Sequence, residues 1–152
     1  MIPLSKYAVR LLALMACFFA LTYSLLAQKS KSLSNAQVKQ MEIEAAQDYI
    51  DATTALRIYF DDESDEAFAI FHSKCLASYR LITFLEKNAG KAQLDTLRLP
   101  GIKNSLETMK DVTIERAREL AEGDERINAV FFAGLSVEEH VANDLISKLS
   151  DQ

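Results

Sequence analysis

From residue 34 onward, apolar side chains recur at steps of three and four residues, the spacing that aligns them on one face of an α-helix. The first series follows residues 34–37 (Ser-Asn-Ala-Gln), a capping box typical of a helix start. Its members are Val38, Met41, Ala45, Tyr49, Ala52, Leu56 and Tyr59. We therefore expect a first helix that begins at this capping box and ends near Phe60.

A second series follows an acidic interruption at residues 61–64 (Asp-Asp-Glu-Ser), where Ser64 or Asp62 is the expected N-cap. Its members are Phe68, Phe71, Cys75, Tyr79, Ile82 and Leu85. Lys87 in the last turn and Gly90 beyond it predict the end of this helix. Because the link between the first two helices is so short, they are expected to form an antiparallel hairpin.

Two further series predict a third and a fourth helix. Members of the third are Ile102, Leu106, Met109, Val112, Ala117 and Leu120. Members of the fourth are Ile127, Val130, Phe131, Val141, Leu145 and Leu149. Gly123 ends the third helix, and the fourth begins near Asp124. Gly134, followed by a second capping box at residues 136–139, predicts that the fourth helix breaks and restarts.

The segment between the second and third helices, residues 91–101, has no regular apolar spacing. It is either a helical turn or a loop, and Pro100 with Gly101 closes it, because proline disfavours helix in the residue before it. No part of the chain alternates as a β-strand does. The pattern predicts an all-α fold: an antiparallel four-helix bundle, up-down-up-down, over residues 34–152, preceded by an N-terminal hydrophobic helix.

That N-terminal segment has a composition of its own. Leu11–Ala27 is a run of 17 residues without a charge, preceded by Lys6 and Arg10. A basic start, an apolar middle and a small residue at the cleavage point are typical of a signal peptide, here ending at Ser24 or Ala27. The run is also close to the roughly 20 apolar residues that cross a bilayer, so an uncleaved membrane anchor is the alternative.

A third interpretation of residues 1–27 rests on residues 14–17 (Leu-Met-Ala-Cys), which look like a lipobox with an atypical Met and would leave the chain lipidated at Cys17. Residues 28–33 are mostly polar and are predicted to form a linker. All three interpretations place residues 34–152 outside the cytoplasm. We therefore expect a periplasmic or secreted domain, which is anchored to the membrane if the first segment is retained.

The charge of the chain limits its partners. It carries 22 acidic and 17 basic residues, a net charge of −5, and the first 27 residues contain two of the bases and none of the acids. The helical part is therefore clearly acidic. Nucleic acids and anionic lipid surfaces require clustered cations, so we expect no nucleic-acid partner.

Catalytic, metal and cofactor motifs are not found. A di-iron bundle needs Glu-x-x-His, but the residues three before His72 and His140 are Ala69 and Val137. A haem held by a His–Met pair, such as His72 with Met41 or Met109, is left as an alternative. Cys75 lies in the middle of the second helix and is interpreted as a small core residue. We expect no enzyme activity, no metal site and no cofactor.

Two pairs of adjacent aromatic residues are the remaining candidates for a function: Tyr59 with Phe60 and Phe131 with Phe132. Neighbours on a helix are separated by about 100°, so both rings of a pair cannot face one narrow seam, and the four rings are candidates for a partner-docking patch at the surface. A wide core-facing arc of rings is the alternative. The patch favours a helical interaction protein, an accessory subunit or adaptor with protein partners in the cell envelope. A small-molecule-binding or sensing bundle and a metal or haem carrier are the competing hypotheses.

The three interpretations of residues 1–27 predict different intact masses for the native protein extracted from its host's envelope. A signal peptide leaves a chain that begins after Ser24 or Ala27, which is the expected result. The full chain, with or without its first Met, indicates an anchor. A chain that begins at an acylated Cys17 would show instead that the lipobox interpretation is right.

Overall fold

The computed structural model describes residues 33–151, so the predictions for Leu11–Ala27, including the cleavage points Ser24 and Ala27 and the lipidation of Cys17, lie outside the described residues. The described chain contains helices and no strand, which confirms the all-α prediction. The five α-helices are α1 (Asn35–Asp62), α2 (Asp65–Asn88), α3 (Leu99–Met109), α4 (Ile114–Ala121) and α5 (Glu125–Ser150). Within residues 33–151 none of these helices has the length and apolar content to cross a membrane.

Helix α1 is the central element and begins where the sequence predicts. The Ser34 hydroxyl accepts the backbone N–H of Gln37 at 3.3 Å, and the Gln37 side chain accepts the Ser34 N–H at 3.0 Å, so the capping box is formed. The 28 residues of α1 contact α2, α3, α4 and α5. Buried side chains on several faces of α1 follow from this central position.

The first two helices form the predicted antiparallel hairpin. The Ser78 hydroxyl of α2 donates to the carbonyl oxygen of Ala45 at 2.7 Å, whereas the Phe68 ring lies 5.4 Å from the ring of Tyr59. Later residues of α1 thus face earlier residues of α2. The N-cap of α2 is Ser64, whose hydroxyl accepts the N–H of Ala67 at 3.3 Å.

Helix α5 runs unbroken, so the predicted break at Gly134 is wrong. A side chain at Gly134 would meet nothing within 4 Å, which means that the glycine lies on an open face and interrupts no packing. The Ser136 hydroxyl donates to the carbonyl oxygen of Phe132 at 2.9 Å, one turn back, instead of capping a new helix. The buried side chain of Leu135 holds this part of the helix on the core.

The prediction of a single third helix is also wrong, because the structure has two helices in this segment. Helix α3 ends at Met109, and the chain turns before Thr113, whose hydroxyl accepts the N–H of Arg116 at 3.2 Å and starts α4. The apolar spacing continues across the turn because Val112 and Ala117 both pack near Tyr59. An arrangement of four helices running up-down-up-down is therefore not confirmed.

The irregular segment before α3 contains a short 3₁₀ helix, Lys91–Gln93, followed by turns. Helix α3 already begins at Leu99, with Pro100 in its first turn, where a missing N–H costs no helical hydrogen bond. Gly101 lies within α3 and does not close the loop. A Cβ at this position would stand 2.6 Å from the Glu138 carboxylate of α5, so the glycine leaves room for this side chain.

Glu63, the residue between α1 and α2, has a left-handed backbone conformation with φ of 49°. We expect Glu63→Gly to raise the free energy of unfolding by about 1 kcal/mol relative to Glu63→Ala, since only glycine adopts this conformation without a Cβ penalty. Thermal melts followed by circular dichroism measure the difference. The alanine variant removes the same negative charge as the glycine variant. If the two variants are equally stable, any stabilisation relative to wild type comes from the loss of charge, and the predicted backbone strain at Glu63 is absent.

Candidate functional site

The structure brings the four predicted docking residues together but places them at different depths. Tyr59 is 1% exposed and belongs to the core, so its ring is not on the surface. Phe60, Phe131 and Phe132 are half-buried against that core. Because the rings pack on one another, neither pair has one fully exposed ring.

These rings form a continuous aromatic cluster between α1 and α5. The ring centres of Phe60 and Phe132 lie 4.9 Å apart in an edge-to-face arrangement, and those of Phe131 and Phe132 lie 5.5 Å apart. Tyr59 contacts Phe60 at 6.2 Å. Edge-to-face pairs add stability beyond their buried area, which gives the cluster a structural role in joining the two helices. Within residues 33–151 the buried Tyr59 hydroxyl has no hydrogen-bond partner.

Arg57 joins α1 to the middle of α5, next to the aromatic cluster. Its guanidinium forms a salt bridge with Glu139, donates to the Ser136 hydroxyl at 3.1 Å and lies 5.7 Å from the centre of the Phe132 ring. A planar guanidinium suits this combination of a carboxylate and an aromatic face. The ring of Phe132 is thus held between a cation and Phe60, and half of its surface is committed to packing.

A larger exposed apolar surface lies on α5, and the sequence interpretation missed it. Ile127, Val130 and Val137 are 60%, 74% and 61% exposed, although Ile127 and Val130 were predicted to face the core. Steps of three and seven residues place them on one face of the helix, with Gly134 between them. We call Ile127, Val130, Gly134 and Val137 the α5 outer face. Their spacing was the available signal, but it does not distinguish a buried stripe from an exposed one.

A buried polar cluster lies at the other end of α5, around Asp95. Its carboxylate accepts the N–H of Arg98 at 2.9 Å and pairs with the Arg98 guanidinium at 3.0 Å and with Lys148 at 2.7 Å. Burial of Asp95 opposes ionisation, but the hydrogen bond from Lys148 and the backbone outweigh it and hold the pKa of Asp95 below its usual range. The cluster ties the loop before α3 to the end of α5.

Glu42 of α1 also belongs to this cluster. Its carboxylate is buried and accepts the backbone N–H of Asp95 at 2.7 Å. Burial raises the pKa of Glu42, with a smaller contribution from the nearby negative charge of Asp95, while the N–H bond and Lys148 act in the opposite direction. The sequence offered no signal for this carboxylate, because Glu42 falls within an ordinary run of helix-forming residues.

The residues considered for catalysis or ligation lie apart. Cys75 is fully buried, as predicted, and burial raises the pKa of its thiol to about 12, so the thiol is neutral at physiological pH. His72 and His140 are exposed on α2 and α5, whereas Met109 is in the core. Within residues 33–151 no group of three or more His, Cys, Asp or Glu side chains is placed to hold a metal ion.

Comparison of the chain with known protein families, curated protein sequences and solved structures finds no match. The chain is an all-helical protein, and its function must be inferred from its own residues. The features available for that inference are the half-buried aromatic cluster, the α5 outer face and the buried polar cluster around Asp95.

The Asp95 cluster predicts a pH-dependent contribution to stability. Asp95→Asn is expected to lower the free energy of unfolding at pH 7 by about 2 kcal/mol, because Lys148 and Arg98 lose their shared carboxylate. A carboxyl whose pKa is depressed stabilises the fold fully above its unfolded pKa, so the difference from wild type should start to shrink below about pH 4. It should be lost only as the pH falls through the depressed pKa of Asp95 in the folded protein.

Urea unfolding between pH 3 and pH 7 measures this difference. Asp144→Asn is the matched control, since Asp144 also pairs with Arg98 but is mostly exposed, and a change within about 0.5 kcal/mol is expected there. Equal losses in both variants at pH 7 would contradict a special role for the buried carboxylate.

Proposed function

We propose that the protein is an extracytoplasmic helical interaction protein, an accessory subunit or adaptor of an envelope complex, and that it docks through the α5 outer face. The observation that carries the proposal is the exposure of Ile127, Val130 and Val137 on one side of one helix. Exposed apolar side chains are ordinary when scattered, but an aligned group is typical of a surface that a partner covers.

The neighbouring aromatic cluster supports the proposal. Phe131 is half-buried and lies one helical turn after Ile127, so its exposed edge extends the apolar surface toward the core. Phe131 packs against Phe132, and Phe132 is fixed by Phe60. A ring that is already held in place loses little conformational freedom when a partner covers it, which favours binding. Phe60, Phe131 and Phe132 are thus proposed to border the docking surface, with Tyr59 as their buried support.

The architecture that we propose is an up-down-up-down bundle in which α3 and α4 together take the third position. Support comes from the direction of α3, which is antiparallel to α2: Lys103 pairs with Glu86 at 2.6 Å, and the carbonyl of Leu106 lies 3.9 Å from the Cys75 sulfur, earlier in α2. A bundle of this kind leaves the outer face of each helix available for partners.

The cellular location is proposed from the first 27 residues. Their basic start and the uncharged run Leu11–Ala27 are typical of export, with or without retention as an anchor. The acidic charge of the remaining chain favours a protein partner over nucleic acid. No enzymatic role is proposed, because the sequence of residues 34–152 contains none of the motifs typical of catalysis.

A paired substitution tests the α5 outer face. Val130→Ser combined with Val137→Ser should leave the melting temperature of the full chain nearly unchanged, since both side chains are mostly in water, but should abolish stoichiometric co-purification with its envelope complex. Quantitative mass spectrometry of affinity-purified native complexes measures the loss. Leu97→Ser is the control, because Leu97 is exposed and apolar but lies outside α5. Equal recovery of partners with the paired variant and the control would contradict the proposal.

A further inference from the structure

A second apolar feature lies on the α1–α2 hairpin, away from the α5 outer face. A groove with a volume of about 360 Å³ runs between the two helices near their connecting turn. Ala55 of α1 and Ala67 of α2 are buried at its base, while Ile58 and Ile70 stand on either side, each 46% exposed. The small residues leave room for a foreign side chain between the two isoleucines. We call this feature the hairpin groove.

The turn beside the hairpin groove is strongly acidic. Five of the six residues in segment 61–66 are acidic, and all five are exposed. Those residues are Asp61, Asp62, Glu63, Asp65 and Glu66. None of them takes part in a salt bridge with another residue of the described chain, 33–151. The turn therefore carries a concentrated negative charge that no residue of segment 33–151 compensates with a salt bridge.

The charge differs between the two ends of the groove. Glu66 lines the end next to the turn, together with Ser64. Asp51 lines the other end, where it shares Lys74 with Asp48, at distances of 3.1 Å and 2.7 Å. The end next to the turn therefore carries the larger excess of negative charge, which gives a bound segment a preferred direction.

We propose that the hairpin groove binds a basic amphipathic helix of a partner protein. Apolar side chains of that helix fill the space between Ile58 and Ile70, and its Lys or Arg residues face the carboxylates of segment 61–66. An acidic partner, or a membrane of anionic lipid, would be repelled by the same carboxylates. The apolar walls supply affinity, and the uncompensated charge supplies selectivity and speed of association.

The size of the groove limits the contact. Along α1 it extends from Asp51 to Ile58, seven residue steps or about 10 Å at the rise of an α-helix. That length accommodates two turns of a partner helix, with two apolar anchors spaced by three or four residues and cations one turn beyond them. The inference adds a second docking surface to the proposed function and does not depend on the α5 outer face.

The test uses the full chain and two fluorescein-labelled helical peptides of 14 residues, one built from Leu and Lys and one from Leu and Glu in the same order. Fluorescence anisotropy should show saturable binding of the basic peptide, weakened by added salt, and no binding of the acidic one. Equal binding of both peptides would overturn the proposal.

Variants of the groove separate it from general attraction between a basic peptide and an acidic protein. Ile58→Ser with Ile70→Ser should weaken binding by about tenfold, the effect of removing a central contact. Glu66→Gln, at the end of the groove, should weaken it by about twofold to fivefold, the effect of removing one exposed charge. Leu97→Ser and Glu44→Gln are the matched controls, because they remove an exposed apolar side chain and an exposed carboxylate elsewhere. Circular dichroism melts verify that each variant is folded.

Three results would overturn the proposal: unchanged affinity in both groove variants, an equal loss in the controls, or a dimer of the full chain that Ile58→Ser with Ile70→Ser dissociates in light-scattering measurements. The last result would assign the groove to a second copy of the chain. The paired α5 variant, Val130→Ser with Val137→Ser, should bind the basic peptide normally. A failure of the α5 proposal and a failure of the groove proposal are therefore distinguishable.

Discussion

The rest of the described structure depends on the small, fully buried side chains along α1. Ala45, Ala46 and Ala52 have no exposed surface, and residues without bulk at a helix contact let neighbouring backbones approach closely. Close approach allows the Ser78 hydroxyl of α2 to reach the carbonyl oxygen of Ala45. Helices α2 and α5 both pack on α1, so the position of each element follows from how near it can come to this one helix.

Packing against alanine gives little directional information, and polar contacts along α5 supply it. Arg57 joins α1 to Glu139 near the middle of α5, and Lys148 joins the C-terminal end of α5 to the buried carboxylate of Asp95. Removing one partner of such a pair leaves a charge without compensation, which makes the pairing selective for one register of the helices. Glu42 connects the loop that contains Asp95 to α1, because its carboxylate accepts the N–H of Asp95.

The same architecture explains why apolar side chains are left at the surface. Helix α1 is covered on several sides, whereas α2 and α5 each bury one face and expose another. Val130 and Val137 lie on the uncovered side of α5, and Ile58 and Ile70 border a groove that the alanines below them keep open. Both surfaces are apolar, but they differ in charge: acidic residues form the turn beside the groove.

Local patterns in the sequence predict the helical class, the starts of α1, α2 and α5, and the core position of Cys75, because capping and apolar spacing are local properties of the chain. The continuation of α5 through Gly134, the division of the third predicted helix near Thr113, and the burial of Tyr59 with exposure of Val130 follow from long-range packing. Spacing shows which residues share a face of a helix. Whether another helix covers that face depends on contacts between residues far apart in the chain, such as Phe60 with Phe132, which no local pattern encodes.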